Sequence, residues 1–239
     1  APADERKEGA ALDLPRRGVN LVRGGIGGLA KTLADWITSN GGKVLYRQAV
    51  ERILVRGTRA VAVRTRKGLE VEADAFAANL TPAALNALLP EPQPVILRKK
   101  PSHSGTGWGA FTLYLGLEAS ALPTELADHH QVVVDPSKPL GEGNSVFISL
   151  SPQADASRVP EGKRAATLSS HTAVEPWWQL AQNDPQGYAA RKEDYTQRLL
   201  AAAERAIPGI RSAVRLALPG TPLTWQFYTG RPLGRVGGY

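Results

Sequence analysis

The segment Arg23-Gly24-Gly25-Ile26-Gly27-Gly28-Leu29-Ala30-Lys31-Thr32 sets four glycines directly before an apolar pattern at helical spacing. Glycines at a helix entry let a ligand come close to backbone N–H groups. Three chemistries are open. Gly25-Ile26-Gly27-Gly28-Leu29-Ala30 satisfies the G-x-G-x-x-G/A dinucleotide fingerprint, with Glu51 about where that motif carries a ribose-binding acid. The preceding GVNLVR, however, carries Asn20 and Arg23 where a buried strand is needed. Gly25 to Thr32 nearly fits the phosphate-binding G-x-x-x-x-G-K-[ST], but Ala30 replaces the second glycine. In the third reading the glycines only make a tight helix entry and Lys31 is solvated.

Imidazole chemistry has little support. His129 and His130 are adjacent rather than at metal-ligand spacing, His103 lies in a Ser/Gly loop without G-x-S-x-G context, and His171 is isolated. No metal is expected, and no catalytic acid or base is assigned. Cysteine is absent, which excludes a disulfide framework, a thiolate metal site and a cysteine nucleophile, and suits a reducing compartment.

These residues need elements to hold them. Residues 1–18 read as a tail or linker. Leu29, Leu33, Trp36 and Ile37 predict a helix over 28–40, stopped by Asn40-Gly41-Gly42. KVLYRQ, VERILVRG, RAVAVRTRKG and LEVEADAFAANL predict a strand and an antiparallel meander. Thr81-Pro82 opens a short helix. Four further stretches, WGAFTLYLGLE, HQVVVD, NSVFISLS and RAATLSSHT, predict a second, mainly antiparallel sheet, and a long helix follows from Gln186 to Ala206. From Leu218 the chain reads as extended and loop-rich. The order points to an α+β fold.

At 239 residues, 42% hydrophobic and 21% charged, the chain can bury a core. The net charge of +7 is uneven: residues 1–100 hold 17 Lys and Arg against 10 Asp and Glu, and residues 101–239 hold 12 against 12. A basic first part suits an anionic surface or a phosphate-bearing cofactor. Nucleic acid is not expected, because no recognition-helix, zinc-finger or RNP-like pattern accompanies the charge.

The glycine segment and its sequel resemble the phytoene desaturase and carotenoid isomerase family of FAD-dependent oxidoreductases, within the amine-oxidase-like flavoproteins. The matching pieces run in order: Gly24-Gly25-Ile26-Gly27-Gly28-Leu29, the Gly41-Gly42 turn, Val50-Glu51-Arg52-Ile53, and Ala73-Asp74-Ala75-Phe76-Ala77-Ala78-Asn79-Leu80-Thr81-Pro82. Gly220-Thr221-Pro222-Leu223-Thr224, Tyr228-Thr229-Gly230-Arg231 and Gly237-Gly238 complete the series.

The resemblance implies part of an FAD/NAD(P)-binding α/β flavoprotein fold with an antiparallel substrate-domain sheet and flanking helices, its N-terminal dinucleotide-binding unit missing. Residues 19–90 would be a partial FAD-binding domain, 91–217 a substrate-binding domain, and 218–239 a loop returning toward the cofactor. The implied cofactor is FAD in the complete protein, met by Gly24, Gly25, the Val50 backbone, Asn79, Gly237 and Gly238. The implied substrate is a long apolar polyene, desaturated or isomerised. A polyene offers no charge or hydrogen-bonding handle, so its candidate contacts are aromatic: Trp108, Phe111 and Tyr114 on one strand, and Trp225, Phe227 and Tyr228 near the end. Alternation puts Trp108, Ala110, Thr112 and Tyr114 on one face and Phe111, Leu113 and Leu115 on the other, and only one face can line a tunnel.

The expected partners are that substrate, the missing flavin-binding half of the same chain, and a membrane surface reached through Trp177-Trp178 beside Pro176. The expected location is cytoplasmic, peripheral to a membrane. A non-catalytic carotenoid- or lipid-binding module and an amine-type oxidase with an aromatic cage for a cation stand as alternatives.

Overall fold

The computed structural model describes residues 25–98, 107–153, 155 and 157–236. The α+β expectation holds: helices accompany a three-stranded and a five-stranded sheet. By internal contacts the chain forms two compact units. One comprises Ala1–Lys43, Leu113–Ser170 and Thr196–Leu218, the other Val44–Thr112, His171–Tyr195 and Pro219–Tyr239.

In the first unit, helix α1 (Gly25–Ser39) carries the predicted apolar stripe. It ends as the sequence requires: the Asn40 side-chain amide donates to Trp36 O, and Gly41 takes a φ of +81° that other residues resist. The stripe is open, with Ile26 72% and Trp36 67% exposed, and α1 has no buried residue.

The second unit begins with the meander β1 (Val50–Arg56), β2 (Arg59–Thr65) and β3 (Glu70–Glu72), antiparallel and in sequence order. Two expectations contract here. KVLYRQ is a loop, because Arg47 sits at φ +58°, which breaks an extended run. The last strand stops at Glu72, beyond which the Asp74 carbonyl accepts from the Arg59 guanidinium at 2.9 Å. Helix α2 (Pro82–Leu88) starts as predicted, the Thr81 hydroxyl accepting from Ala84 N–H at 3.1 Å. A short α3 (Val95–Arg98) follows.

Strands β4 (Trp108–Glu118), β5 (His129–Val133), β6 (Ser145–Leu150), β7 (Lys163–Ala173) and β8 (Val214–Gly220) form the five-stranded sheet in the order β5-β6-β7-β4-β8. Period-2 alternation sends Leu113, Leu115 and Leu117, Val146, Ile148 and Leu150, and Ala166 and Leu168 into the core of the first unit. Leu199 and Ala203 of helix α5 (Pro185–Ala206), and Ile207 just after it, are buried there too. After α5, the short α6 (Ile210–Ala213) leads into β8.

The β5–β6 connection is held by side chains rather than by a tight turn. Asn144 donates to the carbonyls of Asp135, Lys138 and Pro139 and accepts from Asp135 N–H. Asp135 accepts from the Ser137 hydroxyl and N–H and pairs with Lys138 at 3.1 Å. The Ser137 bonds, followed by Lys138, lower the Asp135 pKa from its ordinary 3.8 to about 2. A depressed carboxyl contributes its stability above the unfolded value and loses it as pH falls through the folded one. The wild type is therefore expected to lose more stability than Asp135→Asn between pH 4 and pH 2, read by urea unfolding at each pH. Equal slopes would refute this anchoring role.

Candidate functional site

In the second unit the C-terminal segment folds onto the start of β4. Residues 222–229, read from the sequence as loop, form helix α7 (Pro222–Thr229). The signal was present in the residues: Thr221 caps it, its N–H donating to the Thr224 hydroxyl at 3.2 Å, and Pro222 fills the first turn. Gly230, at φ +67°, stops it. The chain then turns so that Leu233 N–H donates to the Gln226 side chain at 2.6 Å and Val236 N–H to Trp108 O at 2.9 Å. Gly234 lies against the Pro222 carbonyl, where an added Cβ would stand 1.8 Å from that oxygen. The Tyr188 hydroxyl lies 2.8 Å from that of Thr221.

Helix α4 (Glu175–Asn183) belongs to the same corner and corrects the membrane anchor. Trp177 is fully buried: it stacks on Phe111 at 5.6 Å, meets Tyr195 edge-on at 5.1 Å, and donates from Nε1 to the Thr172 hydroxyl at 3.0 Å. Trp178 Nε1 donates to Leu233 O at 3.1 Å. Trp177 is thereby committed to the interior, whereas Trp178 stays half-buried, both on the helix that Pro176 starts. The Arg191 guanidinium sits 5.0 Å over the Trp177 ring and 5.4 Å over Tyr195, so this aromatic cluster already holds the protein's own cation.

The aromatic candidates for substrate contact separate. Phe111 is in the core, 0% exposed. Trp108 and Tyr114 project from the other face of β4 and are exposed, and Trp108 meets His171 edge-on at 6.4 Å. Phe227 and Tyr228 on α7 are 80% and 79% exposed, their rings 5.0 Å apart. Trp225 is half-buried with an indole N–H that has no partner among the described residues. Thr112 was not singled out by the sequence. It is buried with an unpartnered hydroxyl, beside Gly220, where an added Cβ would stand 2.9 Å from that oxygen. Exposed rings of this kind can hold an apolar body by area and shape.

The cofactor candidates fall in three places. Val50 lies on β1, an edge strand. Arg66 N–H donates to Ala49 O at 2.9 Å, and Thr65 N–H is taken by Leu69 O at 2.8 Å. With the 49/66 pair in the bonded phase of an antiparallel ladder, the Val50 N–H and C=O point away from β2 toward the open edge. Asn79 is exposed and its side chain makes no hydrogen bond among the described residues. In the first unit, a Cβ at Gly25 would first meet Arg158 Nε at 3.4 Å, and one at Gly27 nothing within 4 Å. Gly24, Gly237 and Gly238 lie outside the described residues.

A family model described as flavin containing amine oxidoreductase matches residues 9–224. The chain belongs to that family. Among relatives of these flavin oxidoreductases, a chloroplastic prolycopene isomerase of Arabidopsis thaliana is 29% identical over 231 residues, covering 92% of this chain and 37% of that one. A neurosporene-forming phytoene desaturase of Rhodobacter capsulatus is 24% identical, covering 91% and 43%. This chain thus spans about two fifths of the length of these relatives. The crystal structure of an oxidoreductase from Methanosarcina mazei superimposes with a TM-score of 0.57 at 23% identity over 83% of this chain and 43% of that one, a likeness of fold. Within the second unit, the open strand edge at Val50 and the Asn79 amide are uncharged hydrogen-bonding groups of the kind that suit a flavin nucleotide.

Proposed function

We propose that this chain is the polyene-side portion of an FAD-dependent oxidoreductase that isomerises or desaturates a carotenoid. The reading is carried by one observation: the exposed rings Trp108, Phe227 and Tyr228 belong to one unit of a flavoprotein whose relatives are named for prolycopene and phytoene. The Val50 backbone and Asn79 in the second unit would contact FAD, the glycine entry of α1 in the first unit is a separate candidate for it, and the flavin-binding half that the resemblance implies would complete the cofactor site. Bound flavin supplies an electron sink for hydride from a C–H bond. The protein's own part is to grip an apolar rod, fix the reacting carbons and exclude water. An amine-type oxidase is not favoured, because the aromatic cluster recorded around a cation is filled by Arg191.

No helix among the described residues is long and apolar enough to cross a membrane. For a lipophilic substrate drawn from a bilayer in the cytoplasm, the exposed Phe227 and Tyr228 suit a peripheral contact, in place of Trp177 and Trp178.

The test offers prolycopene and phytoene separately to the full protein with FAD and resolves the products by chromatography and mass. A product of changed absorption and unchanged mass means isomerisation. Loss of hydrogen pairs with a shift to longer wavelength means desaturation. Turnover of neither, with an amine oxidised instead, would overturn the reading.

A further inference from the structure

The charges on the β1–β2–β3 meander of the second unit are unevenly spent. Between Leu54 and Val55 the ladder slips: Leu54 faces Ala62 and Val55 faces Ala60, so Val61 is an extra residue on β2. The slip brings Arg59, the partner of Arg56, to the same face as Ala62 and its β3 partner Glu72. Two arginines thus stand directly opposite each other across the Gly57-Thr58 turn, an arrangement that repels unless counter-charge is supplied. Arg59 has it: its guanidinium donates to the Asp74 carbonyl at 2.9 Å and lies 3.6 Å from the Asp74 carboxylate. Arg56 has no hydrogen bond or ion pair among the described residues, and neither has Glu72. Arg64 on the same face is paired with Glu70, but the residue opposite Glu72 is Ala62, which leaves that carboxylate over. Arg56, Arg59, Glu72 and Asp74 line one cavity of about 570 Å³, with Val61 and Ala73 as its apolar wall. It stands at the far end of β1 from the Val50 edge, about 20 Å along the strand.

We propose that this cavity binds a small zwitterion with a phosphate at one end and a primary ammonium at the other, the phosphate on Arg56 and Arg59 and the ammonium on Glu72. With Arg59 and Asp74 cancelling each other, one unpaired cation and one unpaired anion remain in the lining. A simple anion gains at Arg56 what it loses at Glu72, whereas a dipolar ligand gains at both. Two guanidiniums side by side favour a phosphate, because the two oxygens of a carboxylate are filled by a single arginine fork. Glu72 is an acceptor, so an ammonium with N–H donors suits it better than a quaternary one. Free phosphoethanolamine and the headgroup of phosphatidylethanolamine carry this same chemistry. The inference stands on the charges of the meander and does not rest on the polyene reading.

The experiment uses the full chain. Isothermal titration calorimetry follows phosphoethanolamine and inorganic phosphate, and flotation follows vesicles of phosphatidylcholine with and without phosphatidylethanolamine. The wild type is expected to prefer phosphoethanolamine to inorganic phosphate about tenfold, or to float only with phosphatidylethanolamine. The first result names a free ligand, the second a lipid headgroup. Arg56→Ala should weaken whichever binding is seen about tenfold. Glu72→Gln should erase the preference for the ammonium-bearing ligand, over inorganic phosphate in one assay and over phosphatidylcholine in the other, which a merely structural role would not do. Arg52→Ala removes the same charge from the same face outside the cavity and should change nothing. All three side chains are exposed, so the variants should fold, and the melting temperature checks it. Absence of both kinds of binding, an equal loss in Arg52→Ala and Arg56→Ala, or an unchanged preference in Glu72→Gln would overturn the site. None of these results touches the polyene reading.

Discussion

Trp177→Ala is expected to destabilise the protein by about 3–5 kcal/mol, which is the range for removing a large aromatic side chain from a packed core. The site cannot close over the loss. Trp177 is enclosed by Phe111, Tyr188 and Tyr195, and its indole N–H is one of the hydrogen bonds that satisfy the buried Thr172 hydroxyl, the other reaching Tyr195 OH at 3.1 Å. Arg191 loses one of its two ring partners at the same time and keeps Tyr195. Denaturant unfolding measures the effect. Trp177→Phe separates the parts: it keeps most of the area and drops the N–H, so about 1–2 kcal/mol is expected. A membrane-anchoring tryptophan would behave differently, with stability unchanged and liposome binding reduced. That result would contradict the buried position.

Gly234→Ala should have the second-largest effect, of about 2–4 kcal/mol. The residue sits at φ +67°, where an L side chain costs about 1–2 kcal/mol, and its new Cβ would meet the Pro222 carbonyl at 1.8 Å. Forcing atoms into a filled space adds about 1–3 kcal/mol. The chain has an easier response than straining the α7 backbone: the segment after Gly230 can lift, breaking the Val236 N–H to Trp108 O bond and the Trp178 to Leu233 bond. Limited proteolysis should then cut within residues 230–236 much faster than in the wild type. Unchanged proteolysis together with unchanged stability would show that the turn is not packed as described.

The parts of the fold that were legible in the residues are those governed by local rules. Helix α1 with its glycine stop, the Thr81 cap and the long α5 each depend on propensity and capping within a few residues, and all were predicted. Four of the five strands of the larger sheet were legible from alternation and β-branched content, but β8 was not, nor was the order, because alternation does not say which strand is the neighbour. Helix α7 was missed although Thr221-Pro222-Leu223-Thr224 carries a capping signal, since a glycine- and proline-rich end weighs toward loop. Trp177 was misread for a related reason. A tryptophan pair after proline fits either an interfacial anchor or the first turn of a helix, and only tertiary packing separates them.

The candidate site shows the same division. Phe111 and Tyr114 are three residues apart on one strand, so the period of two could say that they differ in face but not which face is buried. The structure decides it through Tyr195 and Trp177, which come from distant parts of the chain.

The strand order also sets a timetable for synthesis. The β1–β2–β3 meander joins sequence neighbours and can close as soon as it leaves the ribosome, whereas β4 lies between β7 and β8, both made later. At about 5–20 residues per second, the apolar strand Trp108–Glu118 emerges on the order of 5–20 s before its last neighbour is complete. Until β7 is made both of its edges are unpaired, and one stays unpaired until β8 follows, so a nascent chain stalled between β4 and β7 is the form most in need of a chaperone.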